Sequence, residues 1–182
     1  MNIIERYCVS TTSVSPAASA AVMMKHPAVK MHGPEHHFLV PAVLLAAFYN
    51  KAHPDLQGEK KAKIQEARKR ADNVKGGFCG LYGACGAAVG TGIFISLVTN
   101  ATPLSKAEWR LSNHMTSESL RVIAENGGPR CCKRCSFLAI NKAVELVQKE
   151  LNVPLSIDHP IVCDFSNLNK ECLKTECVFY KI

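Results

Sequence analysis

Nine cysteines are the side chains of this 182-residue sequence with the most chemical potential. Eight of them lie in three groups beside glycines, prolines or basic residues, and Cys8 stands alone. The groups are Cys79 and Cys85; Cys131, Cys132 and Cys135; and Cys163, Cys172 and Cys177. Thiolates bind soft metals and iron–sulfur clusters when several of them converge from separate segments. The grouping therefore predicts a metal or cluster site, whereas Cys8 is predicted to be a small buried side chain.

The chain around the grouped thiols favours close approach and negative charge. Glycines flank Cys79 and Cys85, so the backbone there can come close to a ligand. A helix that begins near Cys85 would turn its free N–H groups toward a thiolate, and so would a helix that begins at Cys131 after Gly-Gly-Pro. Basic side chains beside Cys131 would offset the negative charge of a site: Arg130, Lys133 and Arg134.

The spacing of the thiols favours iron–sulfur chemistry over zinc. Structural zinc sites use paired C-x2-C motifs, and Cys132-x2-Cys135 is the one such pair here. Eight thiols could serve one or two [4Fe-4S] clusters, with zinc as the alternative. One site is predicted from Cys163, Cys172 and Cys177 with one thiol of the 131–135 group. Cys79 and Cys85 would then serve a second site or the reaction itself.

Three histidines precede an apolar helical pattern, at His32, His36 and His37. In the functional interpretation, His36 or His37 supplies a proton or a non-thiolate ligand near the cluster, and Glu35 orients it. The alternative is a polar turn in which one histidine bonds to the backbone. His36, His37 and Cys79 are thus the candidate catalytic residues. Two further histidines have no companion and are predicted to be structural: His114 and His159.

The elements that must position these residues are helical, and the predicted fold is mainly α, a single compact domain with an irregular C-terminal tail. Residues 1–31 form a lead-in, 32–155 the helical core and 156–182 the cysteine-rich tail. No stretch has the alternation of a strand. Helices are predicted over Pro41 to about Lys51, Glu59–Val74, Lys106 to about Met115, Glu118–Glu125 and about Cys131 to Leu151.

Composition restricts the class of protein and its partners. With 47% hydrophobic and 20% charged residues, the chain is neither disordered nor fibrous. The odd number of cysteines and the adjacent pair Cys131-Cys132 indicate reduced thiols and a cytoplasmic location. The net charge of +7 permits an anionic small-molecule substrate, or nucleic acid at the basic helix 59–74. No aromatic residues lie among those charges, which favours a solvated helix face over nucleic-acid binding.

A membrane role is not expected. The longest uncharged run lies between Lys75 and Lys106, but it contains seven glycines, and its strongly apolar part is only residues 93–98. A spanning helix needs about 20 mostly apolar residues, so this run is predicted to be a buried core helix. The stretch from Ser15 to Met24 lacks the leucine-rich core of a signal peptide.

Two sequence segments carry a family resemblance, GFCGLYGACGAAVGTGIF and GGPRCCKRCSFLAI. Residues 30–180 resemble an uncharacterised domain family of anaerobic archaea and bacteria that is sometimes joined to methyltransferase-like domains. Residues 76–147 are more distantly similar to the C-GCAxx-C-C family of proposed redox proteins, through Cys79, Cys85 to Ala87 and the Cys131-Cys132 pair. The resemblance implies an anaerobic, helical protein that binds a cluster or is redox-active, with a methyltransferase or redox protein as partner.

Two classes of function follow from these residues. The first is an enzyme of sulfur transfer, desulfuration or related reductive chemistry at a cluster. The second is a non-catalytic cluster protein, such as an electron carrier, a redox sensor or a cofactor-delivery module. Zinc-stabilised interaction and thiol–disulfide chemistry at Cys131-Cys132 remain as further alternatives. The sequence contains no dinucleotide fingerprint, no P-loop and no C-x3-C-x2-C motif, which argues against nucleotide and radical S-adenosylmethionine chemistry.

Overall fold

A computed structural model describes residues 2–157 and 160–181 of the chain. Within these ranges the secondary structure consists of eight α-helices and two short 3-10 turns, and it contains no strand. The helices are α1 (Asn2–Ser10), α2 (Pro16–Met24), α3 (Glu35–Ala52), α4 (Gln57–Ala71), α5 (Phe78–Leu81), α6 (Gly86–Val98), α7 (Ala107–Glu125) and α8 (Cys132–Leu151). The mainly α fold predicted from the sequence is therefore confirmed.

Helix α3 lies at the centre of the fold, and every residue from Phe38 to Tyr49 is buried. Helix α6 packs against both α3 and α7 through glycines. A methyl group added to Gly90 would lie 2.8 Å from Cδ of Pro41, and one added to Gly92 would overlap Thr116. The run between Lys75 and Lys106 thus contains a buried core helix, as predicted. Over the described residues, no helix is both long and apolar enough to cross a membrane.

The predicted start of the central helix at Pro41 is wrong. Helix α3 begins at Glu35, so His36 and His37 lie in its first turn rather than in a turn-like segment, and Pro41 lies inside the helix. A proline inside a helix removes one hydrogen bond and crowds the preceding turn. Here the flanking residues are all buried, and Gly90 of α6 leaves room for the proline ring.

The two helices predicted over 106–115 and 118–125 form one continuous helix, α7. Thr116 and Ser117, which look like a break, bond back into the helix. The hydroxyl of Thr116 donates to the carbonyl of Ser112 at 3.1 Å, and that of Ser117 donates to the carbonyl of His114 at 2.8 Å. Their polar groups are satisfied locally, so the helix need not end there.

The remaining helices agree with the sequence patterns within a few residues. The charged helix 59–74 is α4 at Gln57–Ala71, with Ile64, Ala67 and Ala71 as its buried stripe. The long C-terminal helix is α8, which buries Phe137, Ile140, Val144 and Val147. The lead-in forms α1 and α2, which both contact α3.

The tail after α8 is irregular and lies against α8. The rings of Phe137 and Phe179 meet edge to face with their centroids 5.7 Å apart. The amide of Cys163 donates to the carbonyl of Phe179 at 2.7 Å, which joins the two ends of the tail. These contacts hold the three tail cysteines close to the start of α8.

Candidate functional site

The eight grouped cysteines line two separate cavities with four thiols each. Cys79, Cys85, Cys132 and Cys135 line a cavity of about 640 Å³, which we call the cavity site. Cys131, Cys163, Cys172 and Cys177 line a pocket of about 20 Å³, which we call the tail site. The structure therefore brings Cys131 to the three tail thiols, and Cys132 and Cys135 to Cys79 and Cys85. The adjacent residues Cys131 and Cys132 therefore belong to different sites.

The tail site receives backbone hydrogen bonds at three of its four sulfurs. The amides of Arg134, Phe165 and Lys174 donate to the sulfurs of Cys131, Cys163 and Cys172 at 3.4–3.5 Å. Such N–H···S contacts stabilise thiolate charge on metal-bound cysteines. Burial raises the pKa of Cys163, and the nearby thiols of the other three residues raise it further. The four sulfurs are thus close enough to affect one another's ionisation.

Two helix N-termini position the thiols of the cavity site. Cys85 is the residue before α6, and Cys131, before α8, places Cys132 and Cys135 in the first turn. The expectation that a helix begins near Cys85 is confirmed, and Cys131 is the N-cap rather than a member of the first turn. A hydrogen bond with Cys135, followed by the amides of Ala87 and Ala88, lowers the pKa of Cys85 to about 7. Cys85 is the activated thiol of the pair, and the same contact raises the pKa of Cys135.

Cys79 stands apart from the other three cavity thiols. It lies on the four-residue helix α5, which is bracketed by Gly77 and Gly83, both with positive φ. Glycine adopts that backbone conformation without strain, so these two residues define the turns that carry Cys79 to the cavity wall. Helix α5 itself buries no residue, and its last residue, Leu81, is 79% exposed.

His36 and His37 both line the cavity and share one hydrogen-bonding pattern. Nδ1 of His36 lies 3.1 Å from the carbonyl of Gly33, and Nδ1 of His37 lies 2.8 Å from the carbonyl of Val74. A carbonyl only accepts, so each Nδ1 carries the proton and each Nε2 is free to accept a proton or bind a metal. Nε2 of His36 is buried without a partner in the described chain. Burial, and then the charge of Lys133, lower the pKa of His36 to about 3, so its ring is neutral.

The ring of His37 occupies the space beside Gly86. A methyl group at Gly86 would overlap the ring atoms Cδ2 and Nε2 of His37. The glycine after Cys85 therefore has a specific purpose: it lets the first turn of α3 approach the first turn of α6. Sequence reasoning assigned this glycine only a general role in close approach.

Two buried cations lie between the sites and lack a carboxylate partner. Lys133 is 1% exposed, donates to the carbonyls of Met24 and Val29 at 3.1 Å, and lies over the ring of Phe165. Arg134 is 4% exposed and borders both cavities. It donates to backbone carbonyls of the 127–129 turn at 2.7 and 2.9 Å. Within residues 2–157 and 160–181 neither cation forms a salt bridge.

Buried charges require a counter-charge, and both the thiols and the Glu35 carboxylate lie near enough to Lys133 to act on it. Burial lowers the pKa of Lys133 to about 8, while the nearby Cys132 and Cys131 raise it. Burial raises the pKa of Cys131, and the interaction with Cys85 raises that of Cys135, while the charge of Arg134 partly opposes both shifts. Metal-bound thiolates at either site would supply the negative charge that these cations lack in the described chain.

The residue types at both sites fit a thiolate-bound metal, but their side chains lie too far apart to coordinate one ion. Over the described residues, no three His, Cys, Asp or Glu side chains stand close enough to hold one metal. The tail pocket of about 20 Å³ has the size for a single ion, since a water-sized void needs about 10–15 Å³. The cavity of about 640 Å³ has room for a cluster and a further molecule.

Other predicted residues line neither cavity. Nε2 of His32 lies 3.1 Å from Oδ1 of Asn169 in the tail, and Cys8 is fully buried in the core. His114 lies on α7 without lining a cavity, and His159 falls outside the described residues. The basic residues of α4 are partly engaged within the chain: Lys60, Lys63, Arg68 and Arg70 each bond to other segments or to α4 itself.

Sequence reasoning missed the part that α7 plays in the site. One wall of the cavity comes from the end of this helix, through Ser117, Leu120, Arg121, Ile123 and Ala124. The signal in the sequence was weak, because splitting α7 into two short helices hid its continuous apolar face. A long helix with one apolar face toward α6 and α8 would have indicated a wall at this position.

Comparison with known proteins gives a family without an assigned activity. Residues 4–180 match a family described as a family of unknown function, DUF5714. No curated protein and no solved structure matches the chain.

Proposed function

Because the chain belongs to DUF5714, a family of unknown function, we propose its activity from its own site: an iron–sulfur-dependent enzyme of sulfur transfer, desulfuration or related reductive chemistry. The cavity site is the reaction centre, and the tail site is structural. The resemblance seen in the sequence supports an anaerobic role with a methyltransferase or redox protein as partner, and the odd number of cysteines supports a cytoplasmic location. The basic surface leaves nucleic acid as a weaker alternative partner.

One observation carries this proposal. Four cysteines and the buried His36 line a single cavity of about 640 Å³, and Nε2 of His36 has no hydrogen-bond partner among the described residues. A non-catalytic electron carrier, redox sensor or delivery module needs closed coordination and no space for another molecule. A catalytic metal site keeps an open position beside groups that can move protons. The cavity therefore favours an enzyme over the non-catalytic alternative.

Three of the cavity thiols are the proposed ligands, and the fourth is the proposed reactive thiol. Cys85, Cys132 and Cys135 stand at the rigid starts of α6 and α8, where helix N–H groups favour thiolate charge. Cys79 lies on α5 between two glycine turns, so it can move relative to the other three. An iron–sulfur cluster bound here would supply an iron site for substrate or electrons.

The protein groups around that centre would handle protons and exclude water. His36 holds its proton on Nδ1 against Gly33, and its pKa of about 3 keeps the ring neutral, so it would act as a hydrogen-bond acceptor or metal ligand rather than as a base. His37 holds its proton on Nδ1 against Val74 in the same way. A substrate thiol entering the cavity would lose its proton to Nε2 of His37. The apolar end of α7 would shield the site from bulk water.

The tail site is proposed to hold a single ion in four thiolates, with zinc as the favoured metal. Its pocket is about 20 Å³, too small for a cluster without outward movement of the thiols. A closed four-cysteine site without an open position is typical of structural zinc. This proposal differs from the sequence-based expectation, in which the tail thiols and one thiol of the 131–135 group hold a [4Fe-4S] cluster.

Metal analysis of anaerobically purified protein tests both assignments. The expected content is about four irons with matching sulfide and about one zinc per chain. Cys172→Ser is expected to lose the zinc and keep the iron. Cys79→Ser is expected to keep both metals while losing the reactive thiol, measured by alkylation of the loaded protein. Cys8→Ala is the matched control, because Cys8 is buried away from both sites.

Several results would contradict the proposal. Zinc without any iron or sulfide would end the cluster assignment and leave a zinc-stabilised interaction module. Loss of iron and sulfide in Cys172→Ser would exchange the roles of the two sites. Loss of iron in Cys79→Ser would make Cys79 a fourth ligand, and the reaction centre would then lack its free thiol.

The contact between Cys85 and Cys135 supports a second candidate function, dithiol–disulfide exchange. An interaction with the Cys135 thiol lowers the pKa of Cys85 to about 7, and both residues line the cavity, which suits the pair to attack and resolution of a disulfide. This differs from the sequence-based expectation, which placed such chemistry at Cys131-Cys132. Mass mapping after treatment with oxidised glutathione distinguishes the two functions. The exchange function would be favoured over the cluster by two results together. Metal-free protein would form a Cys85–Cys135 disulfide, and it would still turn over disulfide substrates as fast as the metal-loaded protein does.

A further inference from the structure

The cavity extends well beyond what a metal site needs. Its thiol wall comes from α5, α6 and α8, and a second wall comes from the last turns of α7, where Leu120, Ile123 and Ala124 present apolar surface. Its volume of about 640 Å³ lies within the roughly 300–1,000 Å³ range typical of pockets for small organic ligands. The α7 wall is therefore suited to the apolar body of a molecule, not to a metal.

The charged residues on the lining all have one sign. Arg121, Arg130 and Arg134 line the cavity, and no Asp or Glu of the described chain does so. Two of the three are held by the protein. The guanidinium of Arg121 binds Glu118 and Glu125 at 3.0 and 2.6 Å, and that of Arg134 binds backbone carbonyls.

Arg130 is the cation that remains for a ligand. It is exposed, lies between the 127–129 turn and Cys131, and forms no salt bridge within residues 2–157 and 160–181. A guanidinium at the edge of an apolar cavity is a strong site for a carboxylate or a phosphate, because it offers paired N–H donors with a fixed charge.

We propose that the cavity binds a small organic anion whose carboxylate or phosphate is held by Arg130 and whose apolar body lies against Leu120 and Ile123. The remaining end of the molecule then faces Cys79, Cys85 and His36. This assignment rests on the proposed function for the reaction at that end, whereas the anion pocket itself depends only on the cavity and its arginines.

Ligand-observed NMR on the metal-loaded protein tests the proposal with three probes of matched shape. The probes are 3-phenylpropionate, benzyl phosphate and the neutral 3-phenylpropanamide. At least one anion is expected to bind about tenfold more tightly than the amide, and Arg130→Gln is expected to remove that difference. The tighter of the two anions identifies the charged group. Arg6→Gln is the matched control, because Arg6 is exposed on α1 and does not line the cavity.

The outcomes separate this proposal from the proposed function. Equal binding of the anions and the amide would overturn the anion pocket, and so would a preference for anions that survives Arg130→Gln. The second result would assign the anion to a bound metal or to Arg121 and Arg134, the other cations on the lining. Iron and sulfide are measured on the same samples. Anion preference that depends on Arg130 in protein without iron would support the pocket and refute the cluster.

Discussion

The cavity site and the tail site share the start of α8 but differ in every other respect. The cavity site takes its thiols from three helices, adds two histidines, and opens onto about 640 Å³. The tail site takes three thiols from irregular chain, adds backbone N–H groups, and encloses about 20 Å³. One site has space and proton acceptors, and the other has neither. In the proposed assignment, the same residue type would serve chemistry in one place and cross-link the chain through a metal in the other.

The boundary between them is a single peptide bond. Cys131 is the N-cap of α8 and its sulfur accepts the amide of Arg134, which turns the side chain back toward the tail. Cys132 is the first helical residue and lines the cavity. Consecutive residues at a helix start point in different directions, because the chain changes from extended to helical there. Arg134 lies between the two sites and borders both.

Substitution of these neighbours gives the largest expected effect. Cys131→Ser is expected to lose zinc and to lower the free energy of unfolding by several kcal/mol, on the order of 3, because metal binding stabilises the folded tail. Cys132→Ser is expected to lose iron and sulfide while keeping zinc. Metal analysis and denaturant unfolding under anaerobic conditions measure both. If the two variants lose the same metal, the sites are one site and the comparison fails.

His36 should give the cavity site a pH dependence that the tail site lacks. Its pKa falls to about 3 in the folded chain, so the unfolded chain, with a pKa of about 6.5, binds the proton first. The free energy of unfolding should therefore decrease as pH falls from about 6.5 toward 3, by up to about 1.4 kcal/mol per pH unit from this group. His36→Gln should flatten that slope. If the free energy of unfolding changes with pH equally in His36→Gln and in the wild type between pH 7 and 5, at constant metal content, His36 does not cause the pH dependence.

Two glycines offer a matched pair for the cavity wall. Gly86→Ala places a methyl group into the ring of His37 and is expected to destabilise the fold by about 1–3 kcal/mol. Gly58→Ala, at a helical position with open space, is expected to stabilise it by about 0.5 kcal/mol. Thermal unfolding of both variants decides the point. If Gly86→Ala leaves the thermal stability unchanged, the packing of the His37 ring against Gly86 does not contribute to stability.

The smallest effect is expected from an ion pair outside both sites. Arg68 lies 2.7 Å from Glu5, and this hydrogen bond lowers the pKa of the Glu5 carboxyl. A carboxyl with a lowered folded pKa stabilises the protein above its unfolded pKa and loses that contribution as pH falls. Glu5→Gln should cost less than about 1 kcal/mol at pH 7, and that cost should shrink as pH falls below the unfolded pKa of the carboxyl. Iron and zinc contents should not change; a change in either would link α1 to the sites.

Much of the fold could be predicted because it depends on local patterns. The apolar spacing of α8 and the thin apolar stripe of α4 each indicate which face of the helix is buried. The uncharged sequence of α6 indicates a buried core helix. The errors occurred where tertiary contacts overrode a local rule. Pro41 does not begin α3, since Gly90 makes room for its ring, and Thr116 does not end α7, since its hydroxyl bonds to Ser112.

The sequence alone determined a helical protein with eight grouped thiols, and it determined which of them neighbour glycines, basic residues or histidines. Those features are local, since composition and spacing are fixed by the chain. Only the tertiary structure divided the thiols into two sites, because the direction of each side chain depends on where its helix begins and what packs against it. The cavity, its α7 wall and the free nitrogen of His36 likewise arise from the packing of helices that are distant in the chain.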